Sequence, residues 1–172
     1  MSGHCWTHSP EEWQRILNIN FIGTVNGIRS FVPRLLSQGG DAHIVNTASV
    51  AAVLVSPMLS AYTATKMAVK GLTETLQQEL MSLDPSIGVS ILCPGPIETA
   101  MTIEARRQSI VDESNKEMLD QLTPEEGLEY MAPEQCAQIV FDAIERKEFW
   151  IFTHPEYRSL IKKSMAPLLE ER

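Results

Sequence analysis

The chain has 172 residues, 44% of them apolar and 21% charged, and a formal net charge of −8. That length fits one domain with its own core, and no run approaches the roughly 20 apolar residues a membrane-spanning helix needs. The acidic balance repels a phosphate backbone, and the basic clusters Arg106-Arg107 and Lys162-Lys163 are too short to form a binding stripe, so neither nucleic acid nor a membrane is expected as a partner.

The first ten residues are polar and carry no signal-peptide core, so a cytoplasmic chain is expected. Cys5, Cys93 and Cys136 are odd in number and form no C-x-x-C pair, so free thiols are expected. His4, Cys5 and His8 make too short a cluster for a metal site, and no metal is expected.

Ser9-Pro10-Glu11-Glu12 reads as a helix start, with Ser9 as N-cap, Pro10 in the first turn and Glu12 closing a capping box. Apolar residues from Trp13 to Leu35 keep a spacing of three or four and predict a helix over 10–37, ended by Gln38-Gly39-Gly40-Asp41. Residues 42–47, around His43-Ile44-Val45, read as a buried strand. A second long helix is expected over 61–83, closed by Asp84-Pro85 because the residue before proline avoids the helical region. Residues 89–93 form another short apolar strand, stopped by Pro94-Gly95-Pro96.

The charged segment 98–132 reads as a mobile, partly helical substrate loop. A helix over 133–147, a strand over 149–152 and a helical tail over 154–171 complete an α/β order with a parallel sheet.

Tyr62 and Lys66 stand four apart on the second helix and so share a face. A phenol titrates near 10 and is a poor base at neutral pH. A lysine cation about 5 Å away, at an effective dielectric of about 20, would favour the phenolate by roughly 3 kcal/mol, lowering the tyrosine by about two pKa units. Ser49 follows the first strand directly, where a hydroxyl at a sheet's ligand-binding edge could donate to a substrate carbonyl oxygen; taken alone it reads as a turn residue. Thr99 taken alone reads as an N-cap, Asn20 as an exposed helix residue, and His154 as a helix-start residue.

Three runs carry a family resemblance: Ile44-Val45-Asn46-Thr47-Ala48-Ser49, Ala61-Tyr62-Thr63-Ala64-Thr65-Lys66 and Pro94-Gly95-Pro96-Ile97-Glu98-Thr99. A fourth lies in the first helix, Asn18-Ile19-Asn20-Phe21-Ile22-Gly23. Their order and spacing resemble the signatures of the short-chain dehydrogenase/reductase family. The resemblance implies a partial Rossmann-like, doubly wound parallel sheet, made of that fold's last three strands and their helices.

It further implies NAD or NADP as cofactor and hydride transfer between the nicotinamide and a carbonyl or secondary alcohol. Tyr62 would be the acid/base, Ser49 the stabiliser of the substrate oxygen, and Lys66 the tyrosine's modulator and a ribose ligand. Asn20 would hold a water leading from Lys66. Ile97 and Thr99 would hold the carboxamide, Pro94-Gly95 would pass close to the nicotinamide, and Asn46 would tie neighbouring strands.

The chain departs from that pattern in two ways. Thr65 stands where serine is more usual, and no Thr-Gly-x-x-x-Gly-x-Gly turn occurs among its nine glycines. The missing part of the pattern amounts to roughly 80 to 100 residues, and with it goes the residue that selects NAD or NADP. The strand over 42–47 is therefore expected at an open edge, and the isolated chain is expected to be short of a complete cofactor site. The apolar stretch 50–58 suggests an apolar substrate. By the same resemblance the helices over 10–37 and 61–83 would build a homodimer or homotetramer; the alternative is an inert chain that acts only as an association module.

Overall fold

The computed structural model describes residues 3–84, 86–100, 102–103 and 130–169. The expected long first helix is present but not uniform. It runs as α1 (Pro10–Leu17), a π-helical turn (Asn18–Ile22) and α2 (Gly23–Gln38). Its start is the reciprocal cap read from the sequence: Glu12 N–H donates to Ser9 Oγ at 3.2 Å, and Ser9 N–H to the Glu12 carboxylate at 2.8 Å. It stops where Gly39 and Gly40 take φ of +68° and +81°, a left-handed backbone that glycine adopts without steric cost.

There follow β1 (Ala42–Thr47), a 3-10 turn (Val50–Ala52), α3 (Ser60–Leu83) and β2 (Ile87–Cys93). Then come α4 (Pro133–Glu145), β3 (Trp150–Phe152) and α5 (Tyr157–Leu169). Most of the predicted substrate loop, residues 101 and 104–129, lies outside the described residues. Its described ends are tied together, because Glu98 N–H donates to Met131 O at 2.9 Å and Met131 N–H to Pro96 O at 3.0 Å. The helical tail begins at Tyr157, three residues later than expected, because Thr153 and His154 are occupied at the end of β3.

Among the described residues the strands form one parallel sheet in the order β1-β2-β3, with Thr47 opposite Leu92 and Cys93 opposite Phe152. β1 is thus an edge strand, as expected. The period-two alternation of a strand sorts β2 between two layers. Ile87, Val89 and Ile91 pack with Leu76, Leu80 and Val69 of α3, whereas Leu92 packs with Ile151 and Ala143 of α4. A sheet covered on both faces explains why β2 is almost continuously apolar and buried.

Because α3 and α4 flank opposite faces while the strands advance in one direction, the two crossovers have opposite hands. One of them is left-handed, against the usual rule for parallel units. Among the described residues no helix is long and apolar enough to cross a membrane.

Candidate active site

All three strands point their C-terminal ends at the same edge, the position at which open α/β sheets bind ligands. Ser49 leaves β1 there and caps the 3-10 turn, accepting from Ala51 N–H at 3.1 Å. This is the turn role expected of Ser49 taken alone. The Ser49 hydroxyl also acts on the Tyr62 phenol, working to lower its pKa. Tyr62 enters from the first turn of α3. Just before it, Met58 holds φ of +63° and its carbonyl accepts from Gly3 N–H at 2.9 Å.

Lys66 lies one turn along α3, its Nζ 5.6 Å from the Tyr62 ring centre and 3.2 Å from the Thr47 carbonyl. The shared face inferred from the four-residue spacing is present. The expected lowering of the tyrosine is not: burial pushes Tyr62 above its ordinary value near 10, and only the Ser49 hydrogen bond works the other way. The physical reason is that the Lys66 ammonium turns toward the Thr47 carbonyl while the phenol loses water. The same burial pulls Lys66 below its ordinary value, partly countered by Cys93.

Asn20 sits inside the π-helical turn. Its amide donates to Thr65 Oγ1 at 3.1 Å, and Thr65 in turn donates to the Tyr62 carbonyl at 2.7 Å. The Asn20 carbonyl accepts from the Thr24 hydroxyl at 2.9 Å. Asn20 is thus joined to the backbone of Tyr62 through Thr65, a fully buried residue. Asn46 ties β1 to α3 rather than to a neighbouring strand, through an Asn46 Nδ2 to Thr73 Oγ1 bond of 3.1 Å. Buried threonines on an otherwise apolar helix face are the signal that would have marked Thr65 and Thr73 in advance.

At the end of β2, Pro94 O accepts from Val50 N–H at 3.0 Å and Gly95 N–H donates to Thr153 Oγ1 at 3.1 Å. A Cβ on Gly95 would lie 2.6 Å from His154 Nδ1, so the glycine is already required by the protein's own packing. Ile97 pairs with Met131 in an isolated bridge. Thr99 caps a short turn: its Oγ1 accepts from Thr102 N–H at 3.3 Å, and Thr102 Oγ1 accepts from Thr99 N–H at 2.8 Å. That is the N-cap reading of Thr99.

At the N-terminal end the His4 ring stacks on Trp6 and His8 faces Glu12, and among the described residues no three His, Cys, Asp or Glu side chains gather as a metal site would require. His154 follows β3 with its side chain buried, and its carbonyl accepts from Tyr157 N–H at 3.3 Å in the turn that leads into α5, in keeping with a helix-start residue.

The fold and these residues define an α/β protein with Ser49, Tyr62 and Lys66 gathered at the C-terminal edge of its parallel sheet. The family model described as short chain dehydrogenase matches residues 2–110. The chain belongs to that oxidoreductase family. It is 28% identical to the CLA biosynthesis dehydrogenase/reductase of Lactiplantibacillus plantarum, covering 99% of this chain and 63% of that protein. It is 29% identical to the 1-deoxy-11-beta-hydroxypentalenate dehydrogenase of Streptomyces avermitilis, covering 88% of this chain and 50% of that protein. Among solved structures, a Burkholderia phymatum short chain dehydrogenase/reductase in complex with NAD superposes with a TM-score of 0.77 at 29% identity, over 99% of this chain and 64% of that one. The chain therefore spans about half to two thirds of the length of the relatives it matches.

Proposed function

We propose that this chain carries the catalytic part of an NAD- or NADP-dependent oxidoreductase acting on an apolar carbonyl compound or secondary alcohol. The observation that carries the reading is the gathering of Ser49, Tyr62 and Lys66 at one sheet edge, with the Lys66 ammonium 5.6 Å from the Tyr62 ring centre and 3.2 Å from the carbonyl of Thr47. The donor set fits the nicotinamide-ribose end of a dinucleotide: the Lys66 ammonium has three N–H donors, and Thr47 O takes one of them. Lys66 and Tyr62 would hold the ribose, and Pro94, Gly95, Ile97 and Thr99 the nicotinamide. The pyrophosphate end would need residues other than these 172, which contain no glycine-rich turn. When bound, the dinucleotide supplies or accepts the hydride.

The protein's own residues handle the proton. In the reducing direction the neutral Tyr62 hydroxyl donates its proton to the carbonyl oxygen as charge develops there. Ser49 donates a hydrogen bond to the same oxygen while keeping its own proton. The Asn20–Thr65–Tyr62 bonds hold the first turn of α3, so the phenol is presented at a fixed distance. Apolar residues of the stretch 50–58 and the segment after Thr99 would line the substrate pocket.

The test is a titration of the chain with NADH and NADPH, followed by nucleotide fluorescence and thermal shift. Binding of either, weaker than a complete dinucleotide site would give, is the expected result; absence of both at millimolar concentration would overturn the reading for this chain.

The same reading includes self-association through the helices over 10–37 and 61–83, as a homodimer or homotetramer. Phe31, Ile19, Met81 and Leu83 are large apolar side chains left more than half exposed on these helices. Sedimentation velocity is expected to give a dimer or tetramer at micromolar concentration. A monomer throughout the range would remove this part of the proposal.

A further inference from the structure

We propose that Thr153 and His154, just beyond β3, are positioning residues that brace the Pro94-Gly95-Pro96 turn and so set how tightly the nicotinamide end of the dinucleotide is held. This rests on the function proposed above. The turn poses a specific problem for the sheet. Backbone pairing between β2 and β3 ends at Cys93 opposite Phe152, and neither Pro94 nor Pro96 has an N–H with which to continue it.

Gly95 supplies the turn's single N–H donor, and it donates to a side chain, Thr153 Oγ1, at 3.1 Å. The ladder is thus prolonged by a hydroxyl where the backbone cannot prolong it. The turn's carbonyls are fixed from elsewhere: Pro94 O accepts from Val50 N–H and Pro96 O from Met131 N–H, both at 3.0 Å. The Thr153 hydroxyl is therefore the one side-chain tie among three.

That hydroxyl is itself held. Thr153 Oγ1 lies 2.7 Å from His154 Nδ1, so it can accept from Gly95 while its hydrogen goes to an Nε2-protonated imidazole. Both residues are almost fully buried, at 2% and 4% exposure. The His154 ring also lies against Gly95, where a Cβ would meet its Nδ1 at 2.6 Å and the Tyr157 ring at 3.0 Å. Tyr157 packs edge-on against the imidazole with ring centres 6.1 Å apart. A buried histidine pressed on the turn and bonded to the hydroxyl that ties the turn acts through position rather than through proton transfer to substrate.

The isosteric variant Thr153→Val keeps the packing and removes the tie, and Thr153→Ser restores it. In Thr153→Val the Gly95 amide is expected to exchange with deuterium about tenfold faster, and the dissociation constant for the better-bound of NADH and NADPH to rise about tenfold; Thr153→Ser is expected to return both toward wild type. The serine rescue separates position from general destabilisation. An unchanged Gly95 exchange rate in Thr153→Val would overturn the brace, and a freed amide with unchanged affinity would overturn its role in holding the dinucleotide. Failure of the wild-type chain to bind either nucleotide would instead sink the proposed function, and the exchange measurement would still decide the brace.

Discussion

Replacing Tyr62 by phenylalanine is expected to lower carbonyl reduction by about 10²- to 10⁴-fold, the usual contribution of a positioned general acid, with the fold retained. The ring keeps its place in the first turn of α3, which is held through the Tyr62 carbonyl and not through the hydroxyl. The pH dependence carries the sharper information. Because burial holds Tyr62 above its ordinary value near 10, the phenol stays protonated across the neutral range and serves as an acid. Reduction should therefore hold a plateau through neutral pH and fall only as pH rises past 10. Alcohol oxidation needs the phenolate and should climb as pH approaches and passes 10, for as long as the chain stays folded. Steady-state rates in both directions, with a panel of apolar ketones and secondary alcohols, check both statements. Retained reduction in Tyr62→Phe with loss in His154→Ala would overturn the assignment of the acid.

Alkali is expected to unfold the chain cooperatively between about pH 9 and pH 12. Burial pushes the Cys93 thiol from its ordinary 9 up to about 12. Tyr157 is raised from 10 to about 12, first by burial and then by Glu156 and Tyr130. A group whose folded pKa is raised contributes stability that is complete below its unfolded pKa and is lost as pH climbs through the folded one. A rise of about three for Cys93 corresponds to about 4 kcal/mol, and Tyr157 adds less than its full rise implies because solvent screens its half-buried hydroxyl. Together they are comparable to the whole stability of a small domain, about 5–15 kcal/mol.

Lys66 works in the opposite sense, since its depressed value lends stability only once it is deprotonated. It is one group against four, because burial raises Tyr62 and Cys136 as well as Cys93 and Tyr157. Urea unfolding followed by circular dichroism at successive pH values would show the loss. Cys93→Ala should move the alkaline midpoint upward while lowering stability at neutral pH through lost packing, and a midpoint that does not move would contradict the account.

The elements were legible where local chemistry decides them. Ser9 and Glu12 announce the first helix because a capping box is made by four consecutive residues, and Pro94 stops β2 because proline has no N–H to give. The four-residue spacing of Tyr62 and Lys66 is likewise a local fact, and helix geometry carries it directly into the fold. What was not legible depends on distant partners. His154 reads only as a helix-start residue until Gly95, far back in the chain, is laid against its ring. Thr65 and Thr73 gain meaning only from Asn20 and Asn46. The direction of the Tyr62 shift turned on how much water the fold removes and on where the Lys66 ammonium points, neither of which a spacing can report.

The π-helical turn at Asn18–Ile22 leaves a mark on the geometry of everything before it. Gly23 N–H reaches back five residues to Asn18 O, so one residue more than an α-helix uses is wound into that turn. Each residue of an α-helix advances the helix by about 100°. The turn therefore acts as a phase adjuster: Phe21, Ile28, Val32 and Leu35 stay aligned on the core, while Trp13 and Ile16 of α1 are set on a different azimuth from the one a uniform helix would give them. Length and orientation are coupled here. Removing a single residue from 18–22 would shorten the chain very little, yet it would swing α1 about its own axis by roughly a quarter turn and carry Asn20 away from Thr65.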